Sequence, residues 1–209
     1  MRMLRVPVHR RAVALAALAL MLAPAPAFAH HPMGGTLPAS FQHGLLSGLG
    51  HPIIGLDHLA AVIAVGCLAA WHPAGWRLVT GYVLAMMAGA AVHVQGVGVP
   101  AAEILVGLSV IALGLALFLR RPLPAAVALG LFAVVGLLHG YALGESIIGA
   151  EPTPLMAYFA GLAMVQTAIG LGAMAAARRL GDRRVGPLSP ARTAGIVVAL
   201  VGVVSLLAA

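Results

Sequence analysis

His51-Pro52-Ile53-Ile54-Gly55-Leu56-Asp57-His58 opens an apolar run, LAAVIAVGCLAAW, that continues to Trp71. The run has the length and composition of a membrane span, and two imidazoles and a carboxylate sit at its mouth. An acidic side chain at the centre of a spanning helix costs about 2.5–3.5 kcal/mol on insertion scales. An ionisable cluster of this kind therefore reads first as a functional site and only second as architecture.

The rest of the chain agrees with a bilayer setting. Of its 209 residues, 62% are hydrophobic and 8% are charged, far from the balance of a soluble domain. The net charge of +7 comes from arginine alone, since the sequence contains no lysine. These arginines fall in short clusters between apolar runs, a pattern that describes membrane orientation and gives no sign of a nucleic-acid partner. Cys67 is the single cysteine, which excludes an internal disulfide or a thiolate cluster, and it reads as a small buried hydrophobe.

Residues 1–29 have the make-up of a cleavable signal peptide. Arg2, Arg5, Arg10 and Arg11 form a basic region, Ala12 to Leu22 an apolar one, and Ala27-Phe28-Ala29 a small-x-small cleavage site. Residues 30–209 then form one all-α membrane domain. Pro, Gly and Arg punctuation divides it into six spans of about 20 residues, the length a hydrocarbon core requires. They are expected near Ile53–Trp71, Trp76–Val94, Ala101–Leu119, Pro124–Leu143, Leu155–Ala177 and Ala191–Ala208, with a short amphiphilic helix over Leu37–Gly50 against the outer mouth.

Cleavage places the mature N-terminus outside, and six spans return the C-terminus to the same side. Arg77, then Arg120 and Arg121, then Arg178, Arg179, Arg183, Arg184 and Arg192 then occupy the inner loops, as the positive-inside rule requires. This implies a multi-pass protein of a bacterial inner membrane with both termini periplasmic. His43, His51, Asp57, His58, His93, Glu103, His139 and Glu145 all gather toward the outer face, whereas His72 falls on the inner side.

Continued as one helix, His51 and His58 would share a face to within about 20°, with Asp57 about 100° round from His58. Pro52 disfavours that continuation, so a helix start at Pro52 is expected, with His51 as an arm over its end. Two imidazoles and a carboxylate suit Ni²⁺, Co²⁺, Cu²⁺ or Zn²⁺, with Asp57 as ligand or as orienting group. His139 and Glu145 are the second candidate pair, and His43 and His93 are further candidates. After cleavage, the α-amine of His30 with the backbone nitrogen and ring of His31 forms a possible square-planar chelate. Glu103 and Glu151 read as loop-facing carboxylates, and the nine methionines as packing residues.

With these residues in place, the sequence resembles the HupE/UreJ family of membrane proteins. The family pattern HPxxGxDH, followed by an apolar run to glycine, is matched by His51, Pro52, Gly55, Asp57, His58 and Gly66. A second region around HGYA is matched by His139, Gly140, Tyr141 and Ala142, with Gly144 and Glu145 after it. The opening HHPMGG and the stretch GESIIGAEPTP look like the cyanobacterial branch. The resemblance covers residues 30–209 and implies a nickel or cobalt permease that serves hydrogenase or urease maturation proteins. Many relatives have Met where this chain has Val62 and His where it has Leu143. If that His is a ligand, His93, His43 or the N-terminal pair must replace it.

The mechanism so implied strips water from a cation at the outer cluster and passes it inward through repacking helices, the inner halves of the spans being poor in donors. A P-loop needs lysine, so the chain has no such route to ATP. HExxH and GxSxG are also absent, and no enzyme activity and no permanently bound cofactor are expected. The remaining alternatives are a non-transporting metal-binding accessory protein and, more remotely, an intramembrane metallohydrolase.

Overall fold

The computed structural model describes residues 36–120, 122–181 and 189–209. The candidate signal segment, His30, His31, Arg121, Arg183 and Arg184 lie outside the described residues. Among those described there are seven α-helices and no strand: α1 (Phe41–Ile54), α2 (Leu56–Ala69), α3 (Gly75–Val94), α4 (Ala102–Leu119), α5 (Ala125–Gly144), α6 (Pro152–Leu180) and α7 (Pro190–Ala208). A 3₁₀ turn, Glu145–Ile147, follows α5.

Five of these helices, α3 to α7, are long and apolar enough to cross a membrane; the count reaches six if α1 and α2, which meet at 79°, form one broken span. Many large apolar side chains, among them Leu84, Leu115, Val134, Met156 and Met164, lie exposed on the outside of the bundle. In water they would be a liability, and in lipid they are the solvated surface.

The first span departs from the sequence expectation. A continuous helix from Ile53 to Trp71 is replaced by two helices that break at Gly55, whose backbone is extended at φ −75° and ψ 99°. Pro52 does not start the helix but lies in the last turn of α1, so His51 is a buried helical residue and not a flexible arm. Because the chain turns between them, His51 and His58 do not share one helix face. The break leaves few backbone groups unpaired: Gly55 N–H donates to His51 O at 3.0 Å, and Leu59 N–H donates to Gly55 O at 3.0 Å. The segment read as a short amphiphilic helix over Leu37–Gly50 begins at a Ser40 cap, extends to Ile54 and packs along α6.

Helix α2 is the axis of the bundle. Ala61, Val62, Ala64, Val65 and Ala69 have no exposed surface, and α2 touches α6, α4, α3 and α7. Around it stand three tightly packed pairs, α3 with α5, α4 with α7, and α1 with α6. Glycine sets each contact. Gly140 lies on the Met86 carbonyl, Gly114 on the Ala199 backbone, and Gly48 on the Tyr158 carbonyl, so that a Cβ at any of them would overlap main-chain atoms. Without a hydrophobic drive between helices in lipid, such backbone approach supplies the van der Waals contact that holds them.

Chain direction alternates from α2 to α7. Arg77, Arg120 and Arg178 therefore fall at one end of the bundle, and Asp57, Glu103, Glu145 and Ser205 at the other. At the arginine end Arg178 donates to the carbonyls of His72 and Pro73, tying α6 to the turn between α2 and α3.

Gly140→Ala is expected to destabilise the protein by about 1–3 kcal/mol, since the methyl group meets rigid backbone. Gly172, by contrast, faces open space, and Gly172→Ala is expected to stabilise by about 0.5–1 kcal/mol through helix propensity. Thermal unfolding of the purified chain in detergent checks both signs.

Candidate metal site

A cavity of about 280 Å³ opens at the carboxylate-bearing end, lined among others by His51, Asp57, His58, Glu103, Glu145, Ser146 and Ser205. Four elements besides the 3₁₀ turn converge here: the α1–α2 break, the first turn of α4, the last turns of α5 and the end of α7. The break is what brings the two histidines of the first motif together, with ring centroids 6.1 Å apart and ring planes at 80°.

Each imidazole is held from behind, His51 by two hydroxyl groups and His58 by a third histidine. His51 Nδ1 stands 3.0 Å from Tyr158 Oη and 3.0 Å from Ser146 Oγ. The Tyr158 hydroxyl spends its hydrogen on the Leu143 carbonyl, at 2.6 Å, so toward His51 its oxygen accepts. His51 then carries its proton on Nδ1, which leaves Nε2 as the lone-pair nitrogen.

The same logic runs through the second histidine. Ser109 Oγ donates to the Val106 carbonyl at 2.7 Å and therefore accepts from His139 Nε2–H at 3.0 Å. His139 Nδ1 becomes the acceptor for His58 Nδ1–H, 2.8 Å away, and His58 likewise keeps its lone pair on Nε2. His51 and His58 line the cavity, while His139 is fully buried behind His58. A metal-ligating histidine commonly donates its other ring N–H to an orienting acceptor, and both cavity histidines have that arrangement.

Asp57 has two attachments. Oδ1 accepts from the His58 backbone N–H at 2.8 Å, in the first turn of α2 where the helix dipole favours negative charge, and Oδ2 accepts from Ser205 Oγ at 3.0 Å. Its Oδ1 also lies 3.9 Å from His58 Nε2. The carboxylate thus joins α2 to α7 and faces the cavity. Glu103 and Glu145 are exposed at its rim. Among the described residues, no three His, Cys, Asp or Glu side chains already stand as a ready-made metal cage.

Of the residues singled out in the sequence, His51, Asp57, His58 and Glu145 meet at the cavity, and His139 supports it from the core. His43 is exposed on α1, where its N–H donates to the Ser40 cap. His93 is occupied elsewhere, stacked on Tyr141 at 3.9 Å with its Nδ1 against the Tyr141 carbonyl. Neither reaches the cavity, so neither replaces a histidine at Leu143, whose side chain is fully buried in apolar packing. Ser109, Tyr158, Ser146 and Ser205 were not legible as site residues, since single hydroxyls in apolar helices carry no spacing signal. Glu103 was legible as a carboxylate at the end of a span, but its place at the rim depends on how α4 and α7 pair.

The sequence matches the family described as HupE / UreJ protein over residues 18–205. It is 34% identical over 193 residues to "Protein HupE" of Rhizobium leguminosarum bv. viciae, an alignment covering 90% of this chain and 92% of that protein. No solved structure matches.

Tyr158→Phe removes the 2.6 Å donor of the buried Leu143 carbonyl and one of the two hydroxyls at His51 Nδ1, leaving Ser146 beside both. We expect a loss of about 1–3 kcal/mol in detergent unfolding, the cost of two buried hydrogen bonds. Ser205→Ala is expected to cost less, because Asp57 retains the His58 backbone N–H; an equal or reversed ranking contradicts the hydrogen-bond assignment.

Proposed function

The chain belongs to the HupE/UreJ family of membrane proteins, and we propose that it is a permease that carries a divalent transition-metal ion into the cytoplasm, nickel first and cobalt next. One observation carries this reading: two imidazoles with oriented Nε2 lone pairs and three carboxylates border one cavity at the end of the bundle remote from the arginines. Imidazole nitrogen with carboxylate oxygen is a donor set for Ni²⁺ and Co²⁺, and also for Cu²⁺ and Zn²⁺. The metal is cargo here, and no resident cofactor is needed.

The positive-inside rule turns the arginine end to the cytoplasm and the cavity to the periplasm of a bacterial inner membrane. The ion exchanges part of its water shell for His51, His58 and Asp57. Glu103 and Glu145 at the rim raise the local concentration of cations and so the capture rate. His139 and Tyr158 hold the two imidazoles in the binding tautomer. With no P-loop lysine in the sequence, the membrane potential is the nearest energy source: at about 2.3 kcal/mol per charge per 100 mV, a divalent ion gains about 4.6 kcal/mol on entry. Chain members of hydrogenase or urease maturation are the natural recipients in a family associated with those enzymes.

Purified protein in sealed vesicles is expected to take up radiolabelled Ni²⁺ and Co²⁺ when the interior is negative. His51→Ala, Asp57→Asn and His58→Ala are expected to reduce flux at least tenfold, and Glu145→Gln to reduce it less. Metal binding without flux in the wild type would instead make the protein a non-transporting accessory of metalloenzyme assembly, and full flux in the three variants would leave the proposal without a site.

A further inference from the structure

Two side chains outside the cavity have polar atoms that nothing among the described residues satisfies. Tyr82 on α3 and Gln166 on α6 are both completely buried, and neither the Tyr82 hydroxyl nor either end of the Gln166 amide has a hydrogen-bond partner. In a bilayer no bulk water can repair this, so an orphaned group in a spanning helix is disfavoured unless something visits it.

The helix register puts the two at one level. Gly75 faces Met174 and Val79 faces Gly170, so α3 and α6 run antiparallel, and one further turn brings Tyr82 to the level of Gln166 along the bundle. Val62 of α2 also meets Gly170, and α2 runs in the same direction as α6, which places His58, one turn earlier, at that level too. Hence the unpaired phenol and amide share a layer with the histidine whose ring borders the cavity.

This layer borders the first opening at His58, and a second opening lies beyond it. Tyr158 of α6 supports His51 at one end. Ala173 of the same helix lines a second cavity, of about 640 Å³, at the arginine end together with Cys67, Arg120 and Arg178. Gln166 falls midway, about 10–12 Å from each at 1.5 Å per residue.

We infer that Tyr82 and Gln166 form a second cation station, where an ion leaving His58 is held by the neutral amide and phenol oxygens, directly or through retained water, before it reaches the arginine-end cavity. The inference rests on the transport reading above. Neutral oxygen donors suit this position. They bind a transition metal more weakly than imidazole and carboxylate do, and a pathway conducts only if its later sites release. No fixed charge is added to the interior of the bundle, where it would be costly.

The test compares Tyr82→Phe and Gln166→Met, each close in shape to the original, in the full chain. Three quantities are measured: Ni²⁺ flux into vesicles, equilibrium Ni²⁺ binding in detergent and the melting temperature. We expect flux to fall at least tenfold in both variants, Ni²⁺ affinity to stay within threefold of wild type because the cavity is intact, and melting temperature to be equal or higher because an unsatisfied group is gone. Wild-type flux in the variants overturns the inference, whether the groups then hold only a structural water or nothing. A flux loss accompanied by a lower melting temperature also overturns it, since the residues would then be packing elements. Failure of the transport reading itself has a different signature, absence of Ni²⁺ flux in the wild type, and removes the station with it.

Discussion

The structure depends on the contact between His58 and His139. It joins α2, the buried axis, to α5 by a 2.8 Å approach of two ring nitrogens in a place where no solvent can substitute. Only one proton fits between them, and the hydroxyl of Ser109 decides which ring carries it. The order of protons from the Val106 carbonyl to the cavity is therefore fixed by the fold, and the nitrogen presented to the cavity follows from it. Hydrogen bonds in such a chain reinforce each other at low dielectric, and one missing member would leave several groups unsatisfied.

The break at Gly55 has the same importance for geometry. Had the chain from His51 to His58 been one straight helix, the two imidazoles would have stood nearly two turns apart along its axis, about 10 Å at 1.5 Å per residue. The 79° bend folds α1 back so that the rings come within 6.1 Å. A Cβ at Gly55 would press on the His58 ring at 2.8 Å, so the glycine is required by the imidazole as well as by the turn. Broken helices in membranes are tolerated where they line a cavity, and this one does.

Much of this was legible from residue types and spacing. Apolar runs of spanning length located α3 to α7 with ends near those found, because hydrocarbon thickness is a strong constraint and Arg, Pro and Gly mark its limits. His51, Asp57 and His58 stand out in the sequence because ionisable groups are expensive beside lipid, and the structure brings them to one cavity. Pro52 departs from the expectation: proline is well suited to a helix start, yet here it lies in the last turn of α1, and Gly55 makes the break. His93 illustrates the converse limit. Its position at the end of a span was right, but its ring stacks on Tyr141, a contact 48 residues away in sequence that no local pattern encodes. The hydroxyls of Ser109, Ser146, Tyr158 and Ser205 were invisible for the same reason, since each acquires its role through a partner on another element.

Whether the cavity takes a transition metal through its two oriented imidazoles is most directly tested by nickel K-edge X-ray absorption on the Ni²⁺-loaded chain in detergent. The account predicts a first shell of mixed nitrogen and oxygen donors with the outer-shell scattering of two imidazole rings, falling to one in His51→Ala. A spectrum of oxygen neighbours alone, with no imidazole scattering in the wild type, would contradict it.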